Sequence, residues 1–133
     1  MEKYNIAVVT DDGETISQHF GRAQYYEVLH IENNAVVHRE RREKLNHSHF
    51  AHHDHHHAGG QHGFDEESRK KHIGMAETIS DCRFLLARGM GAGAYDSLLQ
   101  VNIQPIVTDI QKIDDAINAV INDTIINHKE KLH

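Results

Sequence analysis

Three groups of side chains in this sequence have the chemistry to hold a metal ion or a metal cluster: one imidazole in a short loop, one thiol, and a run of histidines. The imidazole belongs to His19. It comes after an apolar stretch, residues 6–9, whose length and β-branching are typical of a buried strand. Asp11, Asp12 and Gly13 then form a typical turn. Loops at the end of a buried strand often carry binding groups, because the scaffold holds them in place.

The loop around His19 is expected to face a second, glycine-rich loop. Gly21 should supply a backbone conformation closed to other residues, so that the chain folds tightly behind His19 and Phe20. The second loop spans residues 89–93, and its backbone N–H groups at the start of a helix suit an anion. If the first and fourth strands are neighbours, both loops lie at their carboxyl ends, where open α/β sheets bind ligands.

The thiol belongs to Cys82, the single cysteine of the chain. A thiolate is the natural ligand of an iron–sulfur cluster, but one cysteine supplies one bond and can form neither a disulfide framework nor a cysteine-based zinc site within one chain. Cys82 also precedes a predicted buried strand, at the end opposite the two loops. We therefore interpret it as a small core residue, which is the common role of free cysteine.

The histidine run is a low-complexity segment that predicts a flexible insert at residues 43–63. Clustered imidazoles bind divalent transition metals such as Zn²⁺, Ni²⁺, Cu²⁺ and Co²⁺. The spacing matches no closed zinc motif, so we expect loose binding by interchangeable ligand sets, and we leave open whether this binding is functional. The candidate ligands are His47, His49, His52, His53, His55, His56, His57 and His62.

Apolar periodicity predicts a single domain in which an initial hairpin is followed by alternating helices and strands. The strands are expected at residues 4–9, 25–31, 35–41, 83–87 and 104–107, with a hairpin turn at Asn33 and Asn34. The helices are expected at about residues 66–80, from the glycine-rich loop through Leu99, and from Ile113 to Ile121, where apolar residues recur at i, i+4, i+7 and i+8. Residues 127–133 are predicted to be a polar, frayed tail.

The third strand carries two further expectations. Alternation places Val37 and Arg39 on one face and Val36 and His38 on the other. The charge run at residues 39–44 is interpreted as a solvated strand end.

Three stretches resemble the dinitrogenase iron-molybdenum cofactor biosynthesis family. The first is Asp11-Asp12-Gly13 followed by Ser17-x-His19-Phe20-Gly21-Arg22-Ala23. The second is Asp81-Cys82 followed by residues 87–95, and the third is residues 103–109. The likeness covers nearly the whole chain except residues 43–63. It implies an α/β fold over residues 1–126: a ribonuclease-H-like mixed five-stranded sheet, of order 3-2-1-4-5, flanked by helices.

The resemblance also implies a function. It indicates a small, non-catalytic nitrogenase accessory factor-like domain that carries an iron–sulfur or iron–molybdenum-type cluster, or a precursor. It implies that His19 is a cluster ligand, whereas the residues alone favour an imidazole that hydrogen-bonds its own loop. Thr108 and Asp109 are expected to form a rim. The expected cofactor-binding residues are Asp11, Asp12, Ser17, His19, Phe20, Gly21, Arg22, Gly89, Met90, Gly91 and Gly93.

Two other functions remain as alternatives. The histidine run would suit a protein that stores or delivers nickel, zinc or cobalt. A metal-dependent phosphoesterase is less favoured, because ribonuclease-H-like nucleases gather several carboxylates around Mg²⁺ and the first strand offers only Asp11 and Asp12. The glycines at residues 89–93 do not have the spacing of a dinucleotide fingerprint.

The composition limits the classes of binding partner that we expect. The formal net charge of −6 argues against a nucleic-acid binder. No apolar stretch approaches the length of a membrane span and the sequence begins with no signal-peptide pattern, so we expect a cytoplasmic protein. Its expected partners are a metal cluster or metal ion and a protein that donates or accepts the cluster. An exposed sheet edge would permit a homodimer as well as a monomer.

Overall fold

The computed structural model describes residues 3–44 and 78–132. The strands are β1 (Lys3–Thr10), β2 (Tyr25–Glu32), β3 (Ala35–Glu43), β4 (Phe84–Ala87) and β5 (Gln104–Val107). The helices are α1 (Ala92–Gln100), α2 (Ile113–Ile121) and a short 3-10 helix at Lys129–Lys131. Neither α1 nor α2 is long and apolar enough to cross a membrane.

The predicted helix at residues 66–80 lies almost entirely outside the described residues, as does most of the predicted insert at residues 43–63. Two residues at the start of that insert are described. Glu43 is the last residue of β3, and the backbone N–H of Lys44 donates to the carbonyl of Gln24 at 3.2 Å. The strand pairing therefore runs to the last described residue before the gap.

The five strands form one mixed sheet in the order β3-β2-β1-β4-β5, which confirms the predicted topology. β1 pairs antiparallel with β2 and parallel with β4, and β4 pairs parallel with β5. The hairpin between β2 and β3 turns at Asn33 and Asn34, whose φ angles are 53° and 64°. Positive φ at both central residues is the requirement of a type I′ turn, which asparagine tolerates.

Alternation along β1 divides the core into two layers, one on each face of the sheet. Ala7 and Val9 pack with residues of α1, whereas Ile6 and Val8 pack with residues of α2. All four side chains are fully buried. A strand that is apolar on both faces has to lie in the middle of the sheet with helices covering each face, and β1 does.

A β-bulge in β3 overturns the predicted alternation of that strand. His38 pairs with His30, but Val36, two residues earlier, pairs with Ile31, the very next residue of β2. The register shift leaves one extra residue in β3, so the strand changes face locally. Val36 consequently lies on the same face as Arg39, and both line a shallow groove beside α2.

The interpretation of residues 39–44 as a solvated strand end is wrong at its last residue, Lys44. The Lys44 side chain is fully buried. Its Nζ lies 4.8 Å from the centre of the Phe20 ring and 5.9 Å from that of Tyr26, within range of cation–π attraction. Burial lowers the pKa of Lys44 to about 8, although the negative charge of Asp11 acts in the opposite direction. Periodicity misses this burial because both rings come from other segments of the chain.

The start of residues 127–133 is held by β5 and is not frayed as predicted. The backbone N–H of Val107 donates to Asn127 Oδ1 at 2.9 Å, and the N–H of His128 donates to the Val107 carbonyl at 2.8 Å. Asn127 Nδ2 also donates to the Tyr95 hydroxyl at 2.9 Å. These bonds occupy part of the outer edge of the sheet.

Lys44 predicts a specific dependence of stability on pH. The unfolded chain holds this proton up to about pH 10.5, but the folded chain releases it near pH 8. The contribution of Lys44 to the free energy of unfolding should therefore rise with pH between these two values, because the unfolded state binds more protons there. Urea denaturation of the wild type and Lys44→Met at several pH values measures the difference.

The exposed Lys112 provides the matched control. Lys112→Met should follow the wild-type profile, and only Lys44→Met should lose the rise. Parallel profiles for the wild type and Lys44→Met would show that the Lys44 ammonium is solvated.

Candidate functional site

The loops after β1 and β4 lie in direct contact at one end of the sheet. The backbone N–H of Phe20 donates to the Gly89 carbonyl at 3.1 Å, and the N–H of Arg88 donates to the Ser17 carbonyl at 3.0 Å. The approach is so close that a Cβ on Gly89 would lie 2.5 Å from the Gln18 carbonyl oxygen. Glycine at this position is therefore needed for the two loops to meet.

His19 lies in this contact region, with its side chain exposed. Its described hydrogen bonds are made by the backbone: its N–H donates to Ser17 Oγ at 3.2 Å, and its carbonyl accepts from Arg22 and Ala23. The predicted alternative, an imidazole that hydrogen-bonds its own loop, is thus not seen among the described contacts. The backbone that carries the ring is thus held by hydrogen bonds through both its N–H and its carbonyl.

The carboxylates of Asp11 and Asp12 hold the turn together. Asp12 Oδ1 accepts from the backbone N–H groups of Glu14 and Thr15 at 2.9 and 2.8 Å. These hydrogen bonds hold the pKa of Asp12 well below its ordinary value. Asp11 Oδ1 accepts from the backbone N–H of Gln24 at 2.9 Å. Both carboxylates therefore have structural partners.

The apolar members of the predicted site face the core. Phe20 and Met90 are 3% and 2% exposed and belong to the layer that packs with α1. They anchor the two loops to the core, so their side chains face away from solvent. Thr108, at the predicted rim, is likewise buried, and its Oγ1 accepts from the backbone N–H of Ile110 at 3.1 Å.

The glycines of the site differ in their roles. Gly21 does not have the left-handed conformation that was expected; among the glycines of the described chain, only Gly13 has a positive φ, of 79°. Gly91 is the N-cap of α1 with an ordinary φ of −80°, and Gly93 lies within the helix. The first turn of α1 contains no acidic residue, so the positive end of the helix dipole beside the loops is not neutralised by its own side chains.

Arg88 is a candidate that the sequence analysis did not select. It follows the last residue of β4, and its Nε is buried with no hydrogen-bond partner among the described residues. A buried donor without a partner is costly, so this guanidinium is a group that the described contacts leave unexplained. The sequence does place Arg88 directly before Gly89 in the glycine-rich loop. It does not indicate that the Nε of Arg88 is buried.

Cys82 lies before β4, at the opposite end of the strand from the two loops. It is 4% exposed. Burial, followed by the negative charge of Asp81, raises the pKa of the thiol to about 12. A thiol of this kind is protonated at neutral pH, and it is the thiolate that binds metal. The structural interpretation of Cys82 accordingly agrees with its surroundings.

The remaining predicted ligands, the eight histidines at residues 47–62, lie outside the described residues. Arg22 is described and exposed next to the His19 loop. Asp109 is also exposed, and its Oδ2 lies 3.7 Å from His128 Nε2. The described part of the site thus combines one exposed imidazole with basic side chains and the amino end of α1.

Residues 2–123 match a protein family described as dinitrogenase iron-molybdenum cofactor. The chain belongs to this family. The match extends over nearly the whole sequence, so family membership applies to the folded domain as a unit and confirms the resemblance seen in its motifs. None of the curated proteins matches the sequence.

Solved structures that resemble this family member share its fold. PH0822 is 21% identical with a TM-score of 0.66, over 94% of this chain and 97% of that one. A protein from Methanocaldococcus jannaschii is 15% identical with a TM-score of 0.63, over 97% and 98%. The apo form of the orange protein from Desulfovibrio gigas is 16% identical with a TM-score of 0.63, over 96% and 95%. At these identities the likeness establishes the fold.

The close approach of the loops predicts a cost for any side chain at position 89. Gly89→Ala should lower the free energy of unfolding by about 1–3 kcal/mol, since the new methyl group would displace the backbone of the His19 loop. Gly93→Ala is the control, because Gly93 is exposed in α1 and alanine favours a helix by about 1 kcal/mol over glycine. Urea denaturation distinguishes the two. A Gly89→Ala variant as stable as the wild type would contradict the described loop contact.

Proposed function

We propose that this protein is a non-catalytic carrier of an iron–sulfur or iron–molybdenum-type cluster, or of a precursor of such a cluster, and that His19 is its protein ligand. The observation that carries the proposal is the exposed His19 imidazole on a loop fixed by the Phe20–Gly89 and Arg88–Ser17 backbone hydrogen bonds. Family membership supports cluster chemistry as the context.

A single fixed ligand suits this cargo. A cluster brings most of its own coordination, so the protein needs only to provide one bond and a complementary surface. Many such clusters carry negative charge, which favours the unneutralised amino end of α1 and the positive charge of Arg88 beside it. The exposed Arg22 adds positive charge to the same loop. Because Cys82 is buried and protonated, His19 is the better candidate for the bond.

A carrier must also release its cargo. Because one protein bond holds the cluster, an incoming protein needs to replace only that bond. We therefore propose a cluster donor or acceptor protein as the partner and the cytoplasm as the location. The protein would act as a monomer or as a homodimer joined through the outer edge of β3.

Storage or delivery of divalent transition metals is the second candidate function. It rests on the eight histidines within residues 47–62, which no other part of the chain matches in density. A metal-dependent phosphoesterase has less support, because the Asp11 and Asp12 carboxylates accept backbone hydrogen bonds within the turn. Both carboxylates therefore already have hydrogen-bond partners, which would compete with the binding of Mg²⁺.

The test compares cluster capture by His19→Ala and by the wild type. Both proteins are reconstituted anaerobically, incubated with a cluster-loaded donor and separated from it, and bound iron and sulfide are measured. The wild type should retain the cluster, and His19→Ala should lose most of it, because the only proposed protein bond is gone. Gln18→Ala, in the same loop and also exposed, is the matched control and should behave like the wild type.

The alternative is tested in the same proteins with Ni²⁺ and Zn²⁺. Replacing residues 47–62 with a short glycine linker should abolish most binding of these ions while leaving cluster capture unchanged, and His19→Ala should do the reverse. Equal cluster capture by the wild type and His19→Ala would contradict the proposed carrier role of His19. Loss of cluster capture on removal of the segment would assign that capture to the histidine run.

A further inference from the structure

The hairpin formed by β2 and β3 brings three potential metal ligands together. They lie near the end of the sheet where β1 begins, whereas the His19 loop follows the other end of β1. His30 and His38 are directly paired across the two strands, with ring centres 5.0 Å apart. Glu40 is two residues beyond His38, on the same face. Among the described residues, these three form the one cluster of histidine and acidic side chains whose ligand atoms all lie within 4.8 Å of one another.

The ligand atoms lie close to one another. Glu40 Oε1 lies 2.7 Å from His30 Nε2 and 3.9 Å from His38 Nε2. Tetrahedral zinc with nitrogen and oxygen ligands at about 2.0–2.1 Å requires its ligand atoms to be about 3.3–3.4 Å apart. The two observed separations lie on either side of that value, and all the ligand atoms lie within 4.8 Å of one another.

A second layer of hydrogen bonds fixes the carboxylate. The other oxygen of Glu40, Oε2, accepts from Arg42 Nε at 3.0 Å. Arg42 in turn donates to both carboxylate oxygens of Asp81, at 2.7 and 3.0 Å, and Asn5 Nδ2 donates to Asp81 Oδ2 at 3.1 Å. Partners of this kind orient ligating carboxylates in metal sites. They leave Oε1 of Glu40 directed at the two imidazoles.

The charges around the cluster are compatible with a cation. Arg42 is paired with Asp81, whose pKa is lowered to about 2 mainly by that hydrogen bond, so the two charges offset each other. The hydrogen bond from Arg42, followed by that from His30, lowers the pKa of Glu40. Glu40 therefore supplies a negative charge to the cluster.

We propose that His30 Nε2, His38 Nε2 and Glu40 Oε1 form a binding site for a divalent transition-metal ion of the zinc class. Two imidazoles and one carboxylate are the ligands of zinc sites that keep a fourth position for water or another ligand. The exposure of His38, at 64% of its side chain, leaves room for that position. The site uses no residue of the His19 loop or of the histidine run, and it does not depend on the proposed carrier function.

Binding requires a change of tautomer at His30. In the hydrogen bond with Glu40 Oε1, His30 Nε2 is the donor, because an ionised carboxylate can only accept. A metal would take the Nε2 lone pair, so the proton of the neutral ring moves from Nε2 to Nδ1 and the Nε2–Glu40 hydrogen bond is replaced by the two bonds to the metal.

The test has to resolve individual residues, because the eight histidines at residues 47–62 also bind metal. We would titrate ¹⁵N-labelled full-length protein with Zn²⁺ and follow the imidazole nitrogens of His30 and His38 by NMR. Both sets of signals should shift with one common midpoint. Glu40→Gln, which keeps the shape of the side chain but removes its charge, should move the midpoint for His30 at least about tenfold towards higher zinc.

His38→Ala is the second variant, since its exposed side chain contributes little to packing, and it should have the same effect on His30. His128→Ala is the matched control, because His128 also contacts carboxylates, but through different ring nitrogens: Nδ1 lies 2.9 Å from Glu130 and Nε2 lies 3.7 Å from Asp109. It should leave the midpoint unchanged. Backbone signals from β1 and β4 report whether each variant is folded.

Two results would overturn the proposal. The first is a zinc response confined to residues 47–62, in which the imidazole signals of His30 and His38 do not shift even when the zinc concentration exceeds that of all 14 histidines. The second is a pair whose signals respond to pH but not to zinc, which would make the His30–Glu40 contact a proton-linked hydrogen bond only.

Discussion

The parallel pairing of β1 with β4, continued beyond the strands as contact between their loops, is the constraint on which the rest of the site depends. β1 is buried on both faces and antiparallel to β2, so its carboxyl end is fixed by the core. β4 runs in the same direction and ends at the same edge. The two loops then share backbone hydrogen bonds at Phe20–Gly89 and Arg88–Ser17. This contact fixes the loop that carries His19 relative to the loop that carries Arg88 and Gly89.

The antiparallel half of the sheet serves a different purpose. β3 ends in five consecutive charged residues, Arg39–Glu43, and the alternation of the strand sorts those charges by face. On one face, Glu40, Arg42 and Asp81 form a continuous hydrogen-bonded network that ends at the two imidazoles of the hairpin. On the other, Arg39 binds Glu27 at 2.6 Å and reaches Asp114 of α2 at 3.1 Å. Polar contacts thus tie the hairpin to α2 on one face and to the turn before β4 on the other.

Much of this architecture could be predicted from the sequence because it depends on local patterns. The apolar runs at β1 and β4 identified buried strands, Asn33-Asn34 identified the hairpin turn, and the spacing from Ile113 identified α2. The strand order required the family resemblance, since periodicity does not specify which strands are neighbours.

The features that were missed depend on contacts between distant segments. The burial of Lys44 arises from the rings of Phe20 and Tyr26, and the change of face in β3 arises from a register shift against β2. The unpartnered Nε of Arg88 and the grouping of His30 with Glu40 belong to the same class. Each depends on the neighbours that folding supplies, so no local pattern marks these residues.

The most direct measurement of the central claim is the metal and sulfide content of the protein purified without exposure to oxygen. The account predicts iron together with acid-labile sulfide, in a fixed ratio to the protein and lost when the cluster is removed. Protein without iron and sulfide, but with zinc or nickel beyond the one ion that the hairpin site would hold, would contradict the assignment of a cluster carrier and favour a protein that handles single metal ions.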